Sequence, residues 1–293
     1  MHQTPLHLAL FYGRLDIARV LLDGGATIAN SDFDWPSLHV VLRGIYDFEQ
    51  DRISVVRLLL EHGADVHAQD KVHTTPLQLA SCNGMAEIAR VLLDAGAAAN
   101  SKGLNGRSPL HAAVGGGHSP FIDQYVLLAK LLLERGADVD VPDDDGRTSL
   151  HLASYFGKVE MALALLNAGA YTNAKDREGQ TPLHVVVTSQ YPDESEGDRV
   201  SIVQLLLDHG ADTNAKDNNH ATPLDLASFH ERTEVTALLL QYGEKANAKI
   251  GNQRTAPQLD LASVQLLDEN IDEDWTSSSG SLVRELLPIW LPR

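Results

Sequence analysis

Thirteen histidines, forty carboxylates and one cysteine are the side chains of this 293-residue chain that could do acid–base, metal or nucleophilic chemistry. Their spacing argues against each. A helical zinc site needs two histidines at i and i+4 on one face. His62, His67 and His73 are close in sequence, yet they fall on a helix end and the turn after it. Five others (His7, His39, His111, His151 and His184) hold one place in a recurring Thr/Ser/Pro-Pro/Ser-Leu-His string, so they belong to a repeated element and do not converge on one ion. Cys82 ends a helical stretch beside Asn83 and Gly84, with no histidine placed to take its proton, and is expected to be a small surface or groove residue. Residues 114–120, VGGGHSP, are rich in glycine but lack the Gly-Lys-Ser/Thr that cradles phosphate. The carboxylates recur along turns, as on a solvated edge, and do not form a facing acid–base pair. The chain is therefore expected to be no enzyme and to hold no cofactor, no metal and no small-molecule substrate.

The elements that carry these residues repeat. Seven times a Thr/Ser/Pro-rich start leads through a leucine and a short apolar helix to an aliphatic stretch and a glycine. The starts lie at 4–7 (TPLH), 36–39 (PSLH), 75–78 (TPLQ), 108–111 (SPLH), 148–151 (TSLH), 181–184 (TPLH) and 222–225 (TPLD). The closing glycines are Gly25, Gly63, Gly96, Gly136, Gly169, Gly210 and Gly243. Threonine before proline offers an N-cap oxygen ahead of a residue whose fixed φ suits the first helical position. The glycine supplies the left-handed residue that stops a helix. Between them, Ile17, Ala18, Leu21 and Leu22 fall three and four apart on one face. Segments such as ADTNAKDNNHAT read as extended turns of Asn and Asp. Each unit is thus helix, turn, helix and a protruding hairpin.

These strings resemble the ankyrin repeat, most closely in DREGQTPLH at 176–184 and LLLDHGADTNAKD at 205–217. The resemblance implies an all-α solenoid of stacked helix-turn-helix units with protruding β-hairpin turns. It covers units at about 1–30, 31–70, 71–102, 103–142, 143–175, 176–216 and 217–249. Residues 250–274, in which LDLAS of 224–228 recurs at 259–263, are expected to be a degenerate eighth repeat or cap. Residues 275–293 are a Ser/Gly spacer and an apolar tail, a peptide to fold back on the array or bind a partner. The family pattern also implies that the repeated histidine is buried and bonded to neighbouring backbone. It departs from the pattern at Pro36, which cannot cap through its side chain, and at Asp34, His73 and His220, which stand where the hairpin tip has glycine.

Ankyrin arrays bind other proteins through a concave face made by hairpins and first helices. The resemblance places Phe11, Tyr12, Tyr155, Phe156, Phe229 and His230 in that groove, with Phe33 and Trp35 at a fingertip. Aromatic rings are favoured anchors because they bury much surface for few rotatable bonds; the alternative is that they pack between stacked helices.

The units alternate. Leu6–Leu21, Leu77–Leu92, Leu150–Leu165 and Leu224–Leu239 are each 15 residues apart, whereas Leu38–Leu59, Leu110–Leu132 and Leu183–Leu206 are 21, 22 and 23 apart. Even repeats therefore carry an insert between their helices: GIYDFEQDR (44–52), GGGHSPFIDQY (115–125) and SQYPDESEGDR (189–199). Each insert contains aromatics (Tyr46 and Phe48, Phe121 and Tyr125, Tyr191), which a partner-contacting rim would need. Convergence of the three inserts on one pocket would instead point to an enzyme.

A formal charge of −17 excludes the basic footprint that nucleic acid or anionic lipid requires. No apolar run is long enough to span a bilayer. One cysteine cannot make an intramolecular disulfide, and no Asn-x-Ser/Thr sequon or signal peptide is present, which points to cytoplasm or nucleus. Acidic tips such as Asp143, Asp144 and Asp145 favour a protein partner with a basic surface. The expected function is a non-catalytic scaffold or adaptor. The alternative, motivated by the abrupt start at Thr4 and the apolar first helix, is the recognition part of a longer protein with an effector domain elsewhere.

Overall fold

The computed structural model describes residues 4–28, 35–116, 122–189 and 196–243. Phe33, Asp34, Phe121, Tyr191 and the expected cap and tail at 250–293 lie outside them. Within the described residues there are fourteen α-helices and no strand. They pair as α1 (Pro5–Phe11) with α2 (Leu15–Asp23), α3 (Ser37–Arg43) with α4 (Glu49–Glu61), α5 (Pro76–Cys82) with α6 (Ala86–Asp94), and α7 (Pro109–Gly115) with α8 (Ile122–Glu134). There follow α9 (Ser149–Tyr155) with α10 (Val159–Asn167), α11 (Pro182–Thr188) with α12 (Glu196–Asp208), and α13 (Pro223–Phe229) with α14 (Thr233–Gln241). First helices pack on first helices and second on second, so each unit buries its apolar face against its neighbours. The leucine of every start string is at most 4% exposed, from Leu6 to Leu224.

The start strings cap as their chemistry requires. The hydroxyls of Thr75, Ser108 and Thr222 accept from the backbone N–H three residues on, each worth about 1 kcal/mol. Pro36 opens α3 with no side-chain cap. Three of the repeated histidines, His111, His151 and His184, are tied at both nitrogens. In His111, Nδ1 lies 2.8 Å from the Ser108 hydroxyl and Nε2 lies 3.0 Å from the Arg147 carbonyl. A carbonyl can only accept, so Nε2 carries the proton and Nδ1 receives one from the hydroxyl. His151 and His184 repeat this on Gln180 and Ala221. Each imidazole thus joins its own helix to the turn that enters the next unit.

The hairpin turns between units hold no strand among the described residues. Each closes on a pair of main-chain bonds, such as Asp143 N–H to the Arg147 carbonyl at 2.8 Å and Gly146 N–H to the Asp143 carbonyl at 3.0 Å. The carboxylate of Asp70, Asp143, Asp176 or Asp217 then gathers the N–H groups two and four residues on. Side chains close the turn from inside, leaving too few ladder bonds for a strand. His73 and His220 adopt φ of 60° and 62°, the left-handed conformation glycine usually supplies at such a tip.

Candidate partner-binding groove

The even inserts are part helix. Second helices of odd repeats have nine residues and those of even repeats thirteen, so four inserted residues add one turn. That makes α4, α8 and α12 about 6 Å longer. The expectation of an expanded helix–helix turn is corrected to this extent: Glu49–Arg52 and Glu196–Arg199 are helical.

The first helices end differently in the two kinds of repeat. In odd repeats Gly13, Gly84 and Gly157 turn the chain at φ of 63°, 67° and 66°, and Glu231 does so at 54° in the last. In even repeats Gly44, Gly116 and Ser189 run on extended. Extended exits leave carbonyls pointing at the groove wall without helical partners, and cations meet them. Arg52 donates to the Gly44 carbonyl at 3.0 Å; Lys158 of the next unit donates to Val114 and Gly116 at 2.6 and 3.0 Å. Arg199 and Arg232 both reach Ser189, at 3.0 and 3.2 Å. Burial pushes Lys158 down to about 8 and the adjacent Cys82 thiol up to about 12, which makes that cysteine a poor nucleophile.

Each insert also bonds back to the odd repeat before it. The Ile45 N–H donates to the Phe11 carbonyl at 2.7 Å, the Tyr125 hydroxyl to Cys82 at 3.2 Å and the Ser189 hydroxyl to Tyr155 at 2.6 Å. All three acceptors hold the same place, five residues after the start leucine. Tyr46 adds a bond to the Leu10 carbonyl, and the Arg52 guanidinium sits 4.8 Å over its ring. Close approach needs bare glycine: a Cβ on Gly44 or Gly116 would lie 2.4 Å from the accepted carbonyl of Phe11 or Cys82.

The candidate aromatics therefore divide. Tyr155 and Phe156 are 6% and 8% exposed, edge to face at 5.2 Å, with the Lys158 ammonium 5.3 Å from the Phe156 ring. Their expected place as open groove anchors is corrected: the insert of repeat 6 draws the next unit over them. Tyr125 is buried and Tyr46 half-buried, so neither forms an outward rim. Trp35 is half-buried beneath Arg43, which is held 2.9 Å from Asp70. Open rings remain at Tyr12, Phe229 and Phe48, 50%, 55% and 71% exposed. Phe11 stacks edge-on against Tyr12, and half-buried His230 does the same against Phe229. Ile45, exposed like Phe48, was not a sequence candidate; the Ile45–Phe11 main-chain bond brings it beside Tyr12.

The cations were missed as well, although one signal was available. Glu-x-Asp-Arg ends the inserts of repeats 2 and 6, at 49–52 and 196–199, with each arginine seven residues before the second-helix leucine. Tyr125 holds that place in repeat 4, and there the lysine comes from the following unit. Among the described residues no cluster of histidine, cysteine, aspartate or glutamate could hold a metal ion, and no helix is long and apolar enough to cross a membrane.

A stack of two-helix units joined by short Asx turns, with a buried histidine tying four of the units to the next turn, is a helical repeat solenoid. The chain belongs to the ankyrin-repeat family: the profile "Ankyrin repeat" matches residues 1–32, and "Ankyrin repeats (3 copies)" matches 38–124, 96–176, 122–217 and 176–250. Among its relatives is an E3 ubiquitin-protein ligase, KEG, of Arabidopsis thaliana. It is 36% identical over 114 residues, 39% of this chain and 7% of that protein. The ankyrin repeat-containing protein P1E11.10 of Schizosaccharomyces pombe is 38% identical over 90 residues, 30% of this chain and 39% of that one. Human ankyrin repeat and SOCS box protein 16 is 34% identical over 161 residues, 51% of this chain and 32% of that protein. The matches thus span well under half the length of these relatives.

Proposed function

We propose that the chain is a non-catalytic scaffold or adaptor that binds a partner protein through its groove and hairpin tips, with the main anchor at the junction of repeats 1 and 2. Ankyrin repeats are a protein-interaction module. The observation that carries the reading is the Ile45–Phe11 main-chain bond, which ties the insert bearing exposed Ile45 and Phe48 to the turn bearing exposed Tyr12. Clustered exposed apolar groups of this kind mark contact sites. Exposed Asp47, Glu49 and Asp51 line the same insert and favour a basic segment of the partner. Cytoplasm or nucleus is the setting that fits the chain's chemistry.

A photo-crosslinking residue in place of Phe48 should give a discrete adduct in cell extract, and one in place of Leu127, also exposed on α8, should not. Replacing Tyr12, Ile45 and Phe48 together by alanine should weaken capture of that protein by about 10-fold or more, with the helical circular-dichroism signal unchanged. Equal capture by the triple variant would overturn the assignment. A second reading, that the array is the recognition part of a longer protein, is supported by the small share of each relative that it matches. A native protein migrating on an immunoblot well above 31.8 kDa would favour it.

A further inference from the structure

The last described unit presents a face coded for a neighbour. Phe229 holds the place of Tyr155, and Leu240 that of Leu166, each counted from its start leucine. In repeat 5 these positions lie under repeat 6 and are 6% and 5% exposed; in repeat 7 they are 55% and 49% exposed. Tyr242 adds a further exposed ring.

The sequence that follows holds a fitting cover. Leu-Asp-Leu-Ala-Ser of α13, 224–228, recurs at 259–263, 35 residues on. Start leucines of successive units are 32 (Leu6 to Leu38) to 41 residues apart (Leu183 to Leu224), so the recurrence is in step. Leu259 and Ala262 then take the two places that every first helix buries: the start leucine, and the alanine or valine three residues later, each at most 4% exposed in all seven units. Pro257 stands where Pro36 opens α3, so a proline start has a precedent in this array. Counting fifteen from Leu259 reaches Asp274 in an acidic run, not an aliphatic, so no second helix of the usual kind is encoded. An apolar inner face followed by acidic residues is what a terminal unit needs to face water. The family matches stop at residue 250, short of this stretch.

We propose that the segment at residues 257–267 is what covers the open face of repeat 7, over Phe229 and Leu240.

The test uses the full chain with C82S as background, carrying either L240C or L127C, two thiols at positions of similar exposure in the described array. Maleimide labelling of the L240C thiol should be about 10-fold slower than that of L127C, since it requires the covering segment to lift. Adding L259D and L261D should bring the two rates together, with the circular-dichroism spectrum of the array retained. Equal rates in the starting chain would overturn the proposal. So would protection that survives L259D/L261D, or protection that grows with protein concentration, which would assign the face to a second copy.

Discussion

Residues 17–23 of α2 and 88–94 of α6 are the same seven letters, IARVLLD, in two different situations. In repeat 3, Ile88 and Val91 are 0% and 7% exposed because α4 lies across them; in repeat 1, Ile17 and Val20 are 53% and 71% exposed, with no described helix on that side. The string decides which face of the helix is apolar. The neighbour decides whether that face contributes to stability. In a solenoid the unit of stability is the interface between repeats, so one sequence can be structural in one copy and idle in the next.

The sharpest way to break this comparison is to delete the same side chain twice. Ile88→Ala should cost about 2–4 kcal/mol through the cavity it leaves, read as a lower urea midpoint. Ile17→Ala should cost less than about 1 kcal/mol. Similar losses would mean that α2 is covered in solution.

A smaller effect separates repeat 3 from its histidine-bearing neighbours. Burial holds His39, His111, His151 and His184 below the ordinary imidazole range, His151 at about 4. The unfolded chain takes up protons below about 6.5 that the folded array refuses. Stability is therefore present above that pH and lost as pH falls from 6.5 toward 4, by up to about 1.4 kcal/mol per unit for each fully affected histidine. Asp176, raised to about 6 by burial, opposes part of this loss below pH 6. Repeat 3 has Gln78 in the histidine's place, bonded to the Arg107 carbonyl at 2.7 Å. Q78H should steepen the acid loss in urea titrations at pH 7.5, 6 and 5; an unchanged slope would show that the interior position titrates freely.

The smallest effect tests the inserts. Tyr125→Phe removes the bond to the Cys82 carbonyl and should cost about 1 kcal/mol. It should raise amide exchange at the α5–α7 junction while leaving α13 and α14 unchanged. Exchange that rises everywhere would mean that the insert stabilises the whole array and not one pair.

Much of the fold was legible because each unit states it anew: start leucine, apolar stripe and closing glycine recur seven times, and a capping hydroxyl six. The period-two alternation of inserts was legible too. What was not legible is where the inserted residues go. Tyr46 and Tyr125 look like exposed rim aromatics in sequence, but a hydroxyl beside a bare glycine can reach a carbonyl of the preceding unit, and only the packed backbone reveals that acceptor. Tyr155 and Phe156 read like Phe229 and His230. Their burial follows from having a further unit behind them.

The longer second helix of every even repeat gives the array a register. Projections about 6 Å tall recur at about 20 Å intervals, like teeth on a rack. An extended partner that meshes with one tooth can be displaced by two repeats and mesh again, whereas displacement by one sets its high points against the crests. A partner bound along that edge as proposed would therefore be matched in pairs of repeats, and inserting or removing a single repeat should put it out of phase.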